Sequence, residues 1–181
     1  MALAPHSGRV SLEEFLSWPE ESPALELIDG VVEQKPVGNF DHAAAVENLY
    51  RALMAHRATA NGRALTDLGK PYPGSRMGNH RVPDLSYFLV RAIPLDDRRY
   101  PAIPPDLVAE VRSPGQARAA LEERLRFLLE QGAKVGLLVE PRTKTVTVFE
   151  AGEAERTYRD GDELVLDALH GFTLRVADLF Q

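Results

Sequence analysis

The chain has 181 residues, 44% of them hydrophobic, no cysteine and a formal net charge of −6. That composition supports one packed domain over residues 1–181 and excludes disulfides, thiolate metal sites and a disordered chain. The acidic balance disfavours tight non-specific binding to nucleic acid, which needs a basic footprint. No apolar run reaches the ~20 residues of a membrane span, and "MALAPHSGRVSLEEF" has no apolar signal core. A cytoplasmic protein without membrane contact is expected.

In chain order, Ser11 with Glu14 three residues on forms a capping box that opens a short helix before Pro19. "ALELIDGVVEQKP" reads as a β-hairpin turned at Asp29–Gly30. "DHAAAVENLYRALMAHRATA" predicts a long helix capped by Asp41 and ended by Asn61–Gly62, with His42, Val46, Leu49, Leu53 and His56 on one face. "RALTDL" predicts a strand, and "GKPYPGSRMGNH" a Gly/Pro-rich loop. "PDLSYFLV" and "DLVAEV" predict two further strands. "AALEERLRFLLEQG" predicts a helix with Leu121, Leu125, Leu128 and Leu129 inward and Gly132 at its end. "AKVGLLVE" is a buried strand, and "VTVFE" follows it through a turn. The tail, around Asp160–Gly161, predicts short strands and a last helical turn near Ala177–Phe180. Strand, helix and strand over residues 106–139 point to a βαβ crossover, so the fold class is α/β, a mixed sheet flanked by helices. No internal repeat or linker divides the chain.

The residues that carry chemistry lie in "VPDLSYF" and "PPDLVAEVRSP". Strand side chains alternate, so Val108, Glu110 and Arg112 share one face, with Glu110 and Arg112 roughly 6–7 Å apart. If the two strands are neighbours, Asp84 and Glu110 converge. Two carboxylates held close repel unless a cation joins them. Mg²⁺ suits hard oxygen ligands and would polarise a phosphodiester and activate water there. Against this stands the plainer reading, a turn aspartate and a glutamate paired with an arginine. The five histidines lack the His-Glu-x-x-His spacing of a zinc enzyme, and phosphate-loop and serine-hydrolase motifs are absent.

Seven segments in order resemble the Uma-two-type family of restriction endonucleases, a branch of the PD-(D/E)XK nuclease superfamily. They are "SLEEFLSWPE", "LELIDGVVEQKP", "DHAAAVENL", "VPDLSYF", "PPDLVAEVRSP", "LEERLRFLLEQGAKVGLLVEP" and "HGFTLRVADLF". The resemblance implies a restriction-endonuclease-like fold with extra β-hairpins and a Mg²⁺- or Mn²⁺-dependent endonuclease acting on DNA, as a homodimer because two sites cut two strands. It makes Asp84 and Glu110 metal ligands, Glu26 a third acidic candidate and His42 a further candidate; the Val111 carbonyl would also reach the metal. His56 has no motif behind it and reads as structural.

The chain departs from the superfamily pattern at one telling place. A lysine is expected two residues after the glutamate, and Arg112 stands there. This branch often carries a lysine on the next helix instead, where this chain has Arg124 flanking the leucine stripe. Arginine does not lose its proton at working pH, so it serves as a phosphate holder and not as a base. Arg112 and Arg124 are the candidates for that role, and Lys70, Arg76 and Arg81 form the best local basic patch for phosphate contacts. A nuclease fold that binds DNA or protein with little or no cleavage is the alternative.

Overall fold

The protein, described by a computed structural model over residues 8–56, 61–74 and 77–181, is built on a six-stranded sheet of order β10-β9-β8-β7-β6-β3. These strands are β3 (Arg63–Thr66), β6 (Leu85–Phe88), β7 (Leu107–Val111), β8 (Val135–Glu140), β9 (Thr145–Glu150) and β10 (Arg156–Arg159). β7 and β8 run parallel, joined through helix α3 (Arg118–Glu130); the other neighbours are antiparallel. The expected βαβ unit is therefore present, and the sheet is mixed.

Each helix covers one face of that sheet. Helix α2 (Phe40–Ala55) buries Ala45, Leu49 and Leu53 against Leu85, Tyr87, Leu107, Ala109 and Val111. The same core is closed by the pair β11 (Glu163–Leu166) and β12 (Phe172–Arg175) and by the 3-10 turn Val176–Phe180. On the opposite face, α3 packs Leu121, Leu125 and Leu128 on Val108, Leu138 and Phe149. The alternation read in "LVAEVR" explains this division: Leu107, Ala109 and Val111 look toward α2, while Val108 and Glu110 look toward α3.

A second sheet, β2-β1-β5-β4, carries the N-terminal hairpin. Strands β1 (Leu25–Ile28) and β2 (Val31–Gln34) meet at Asp29 and Gly30, whose φ values of 46° and 85° are those of the expected tight turn. Helix α1 (Leu12–Phe15) packs beside them, with Ser11 accepting from the Glu14 amide as its sequence predicts.

Three expectations are corrected. The N-cap of α2 is Asn39, whose side chain accepts from the His42 amide at 3.1 Å, so Asp41 lies inside the first turn. The helix also ends earlier, at Ala55, because His56 is already extended with ψ 106°. The Gly/Pro-rich stretch is not simply a loop. Lys70–Tyr72 (β4) and Asn79–Arg81 (β5) pair antiparallel, and Pro71 is tolerated because β4 is an edge strand with one unpaired side.

Candidate functional site

Glu110 projects from the middle of the parallel pair toward α3, with its side chain 3% exposed. Asp84 immediately precedes β6. The register Leu85↔Ala109 carries one step further to set Asp84 across from Glu110. The two carboxylates predicted to converge therefore sit on adjacent strands and on one face. Glu26 enters the same cluster from β1, and Arg124 reaches it from α3. Arg124 flanks the buried leucines of its helix, so its aliphatic stem runs over them while the guanidinium arrives at the carboxylates.

The polar contacts are specific. Arg124 places Nη1 2.6 Å from Glu26 Oε2 and donates from Nη2 to Glu26 Oε1 at 2.9 Å. Its Nε and Nη2 lie 3.2 and 3.1 Å from Glu110 Oε1. Glu26 Oε1 also accepts from the Val82 amide at 2.7 Å, so both oxygens of Glu26 are engaged. Asp84 Oδ2 accepts from the Val111 amide at 2.7 Å, which pins the carboxylate to β7.

Asp84 Oδ1 faces two residues from the α2 side. His42 Nε2 is 3.6 Å away, and its Nδ1 lies 3.0 Å from Ser113 Oγ. The other is Lys35, with Nζ at 2.8 Å from Asp84 Oδ1 and 2.6 Å from Asp67 Oδ1. Lys35 was not singled out by its sequence, and neither were Asp67 and Ser113. A signal existed for Lys35: Glu26 pairs with Glu33, so Glu33 and Lys35 share the site-facing side of β1 and its partner. What hid it is that Lys35 lies just past the end of β2, beside Pro36, where alternation usually stops.

Charge in this cluster is dense and buried. Glu26, Asp84 and Glu110 face Arg124 and Lys35, and the buried Arg81 guanidinium also interacts electrostatically with Glu26 and Glu110. Burial pushes the Glu110 carboxyl up to about 8; Arg124 and Lys35 pull it down, while Asp84 and Glu26 push it further up. Lys35 is shifted the other way from a buried amine: burial opposes its charge, but Asp84 and Asp67 outweigh that and hold it above the ordinary lysine value. Arg124 is likewise raised, with Glu110 and Glu26 outweighing burial. Both cations thus stay charged and neither acts as a base.

These carboxylates suit a divalent cation in number and kind. Among the described residues no group of three or more His, Cys, Asp or Glu side chains is arranged to hold a metal ion. Mg²⁺ does not require such a group, since it commonly takes one or two carboxylates and completes its shell with water and phosphate. Asp84 and Glu110 are two such carboxylates, and burial, with Asp84 and Glu26 adding to it, holds Glu110 above the usual carboxylate range, an effect that a bound cation would oppose. Lys35, His42, Asp67 and Asp84 line an open cavity of about 780 Å³, which also takes in Glu47 and Tyr50.

Of the remaining candidates, Arg112 and Lys70 are committed elsewhere, and Arg81 is buried next to the cluster, interacting electrostatically with Glu26 and Glu110. Arg112 donates to Glu140 Oε1 at 2.8 Å and to the Gln116 carbonyl at 3.0 Å, so the arginine two residues after Glu110 is drawn off by Glu140 on β8. Lys70 donates to the Pro101 carbonyl at 2.5 Å and lies over Tyr72; burial lowers its pKa. Arg81 is buried on β5, 5.0 Å over the Phe127 ring, with burial lowering its pKa too. The expected exposed basic patch is therefore not formed by Lys70 and Arg81, because both are in strands and packed; Arg76 lies outside the described residues. His56 binds the Leu169 carbonyl at 3.1 Å and meets Phe172 edge-on, which fits its structural reading. His80 stacks between Phe15 and Tyr100, turned into the hairpin core, where burial lowers its pKa to about 4.

The mixed sheet with its βαβ unit, flanked by helices, is a nuclease-like α/β fold. The chain belongs to the Uma2 family, described as "Putative restriction endonuclease", whose model matches residues 12–177. Among solved structures it resembles a "putative nuclease belonging to DUF820" from Anabaena variabilis ATCC 29413, with TM-score 0.81 and 27% identity, covering 94% of this chain and 97% of that one. No curated protein matches the chain. Among the described residues no helix is long and apolar enough to cross a membrane.

Proposed function

We propose that the protein hydrolyses DNA phosphodiester bonds with Mg²⁺ or Mn²⁺ held by Asp84 and Glu110. The observation that supports this most is the pair itself: two buried carboxylates on adjacent strands, with Asp84 lining an open cavity. When bound, the metal supplies Lewis-acid polarisation of the phosphate and activation of a water. The chain's own residues do the rest. The Val111 amide fixes Asp84, and Arg124 fixes Glu110 while Glu26 holds Arg124. In this reading Glu26 is the counter-ion of Arg124 rather than a ligand, since the guanidinium engages both its oxygens. Arg124 then positions Glu110 and fills the place of the expected helix lysine. His42, held by Ser113, orients Asp84 Oδ1 from the cavity side. A homodimer would let two such sites cut two strands.

The test is plasmid cleavage in Mg²⁺ or Mn²⁺ with Asp84→Ala and Glu110→Ala beside the wild type. Each substitution is expected to reduce cleavage by at least about a hundredfold, as when one group that stabilises transition-state charge is removed. Cleavage indifferent to both would reject the reading. A second reading, a nuclease fold that binds DNA without cutting, is favoured by one observation: Arg112, at the motif's lysine position, is committed to Glu140. It predicts metal-independent binding and no turnover in any of the three proteins.

A further inference from the structure

The proposed metal pair already has a cation at its door. Asp84 has two oxygens, and Oδ2 is taken by the Val111 amide. Oδ1 is the oxygen left to bind a metal, and Lys35 Nζ stands 2.8 Å from it. A Mg²⁺ ion would lie at roughly 2.0–2.1 Å from the same oxygen. Two cations so close repel strongly inside a site only partly reached by water.

Lys35 is also built to move without unfolding anything. Its backbone is fixed: the amide donates to the Ala24 carbonyl at 2.8 Å, and Pro36 follows. The side chain is a flexible four-carbon stem ending in three rotatable donors. One donor meets Asp84, whose side chain is 5% exposed; another meets Asp67, 67% exposed and set at the cavity mouth. The ammonium thus has a buried acceptor and a solvent-facing one. Losing the first leaves it held by the second, facing the space where a phosphate would enter.

We infer that Lys35 is the resident cation of the site, neutralising Asp84 in the metal-free protein and yielding Oδ1 to a divalent ion by falling back on Asp67. This rests on the reading that Asp84 holds the metal. Lys35 is a positioning residue here: it sets the metal affinity through Asp84, and the Lys35–Asp67 pair stays behind as a cationic contact for the substrate.

The experiment is Mn²⁺ titration by calorimetry on the full chain, with no DNA present. Lys35→Met should bind Mn²⁺ about tenfold tighter, the scale of one like-charge contact in a partly screened site. Lys35→Arg, which keeps the charge, should stay near the wild type. Asp67→Asn should bind several-fold weaker, since Lys35 then has Asp84 as its one carboxylate. Asp84→Asn serves as the control for the site. If Asp84→Asn abolishes binding but Lys35→Met binds no tighter than wild type, the role given to Lys35 is overturned and the metal reading stands. If Mn²⁺ binding is the same in Asp84→Asn as in wild type, the metal reading falls and this inference with it. Should Lys35→Met not fold, Asp67→Asn decides alone, and binding equal to or tighter than wild type overturns the inference.

Discussion

Two ionic clusters adjoin helix α3 and differ in exposure. In one, Arg112, Arg118 and Arg126 meet Glu140, Glu122 and Glu155, three cations for three carboxylates. The arginine side chains there are between 36% and 49% exposed, so water and salt share the charge. In the other, Arg124 and Lys35 meet three carboxylates whose side chains are at most 5% exposed. A balanced, wet network ties elements together. A network buried away from water keeps a carboxyl above its ordinary range and is where a metal gains most. Perturbed buried carboxyls mark functional sites for this reason.

That contrast predicts unequal costs. Arg124→Met should lower unfolding stability by about 3 kcal/mol, near the low end for breaking a buried pair, because it leaves buried carboxylates without their partner while Glu110 can take up a proton. Equilibrium denaturation in metal-free buffer measures it; a loss below what an exposed pair shows would break the comparison. A pH series is the next largest effect. Folding raises the Glu110 carboxyl from its ordinary range to about 8, so the folded state binds the extra proton. The stability this contributes is full below the unfolded carboxyl's pKa and is lost as pH rises to about 8. Stability of the wild type should therefore decline across that window relative to Glu110→Gln, when both are followed without metal. A difference between the two that stays flat with pH would mean Glu110 is ionised throughout. Smallest of all, Arg118→Ala should cost no more than about 1 kcal/mol despite its pairs with Glu140 and Glu122, and less in high salt.

Much of this was legible in the chain. Asp29–Gly30 announced its hairpin because only a few residues accept left-handed backbone cheaply, and the leucine stripe of α3 announced its face. Alternation gives the face of Glu110, but its meeting with Asp84 needs two strands to be neighbours, and the resemblance of "VPDLSYF" and "PPDLVAEVRSP" is what singles the two out. Arg124 is singled out by the family's helix lysine, and its place beside the leucine stripe agrees with where the guanidinium goes. Arg112 misled for the same reason that alternation works: it gives the face, and the partner on that face, Glu140, comes from a strand far away in sequence. Lys70 and Arg81 were read as loop residues because proline and glycine surround them, while edge pairing in β4 and β5 tolerates such residues. Lys35 and Asp67 meet over a separation of 32 residues through packing of two sheets, which no local pattern encodes.

The central claim is that a divalent cation belongs between Asp84 and Glu110. Crystals soaked in Mn²⁺ and measured for anomalous scattering test it most directly. The expected result is a peak bonded to Asp84 Oδ1 and a Glu110 oxygen, with Lys35 Nζ displaced toward Asp67. A Mn²⁺-soaked crystal with Lys35 still on Asp84 and no anomalous peak at either carboxylate would contradict it.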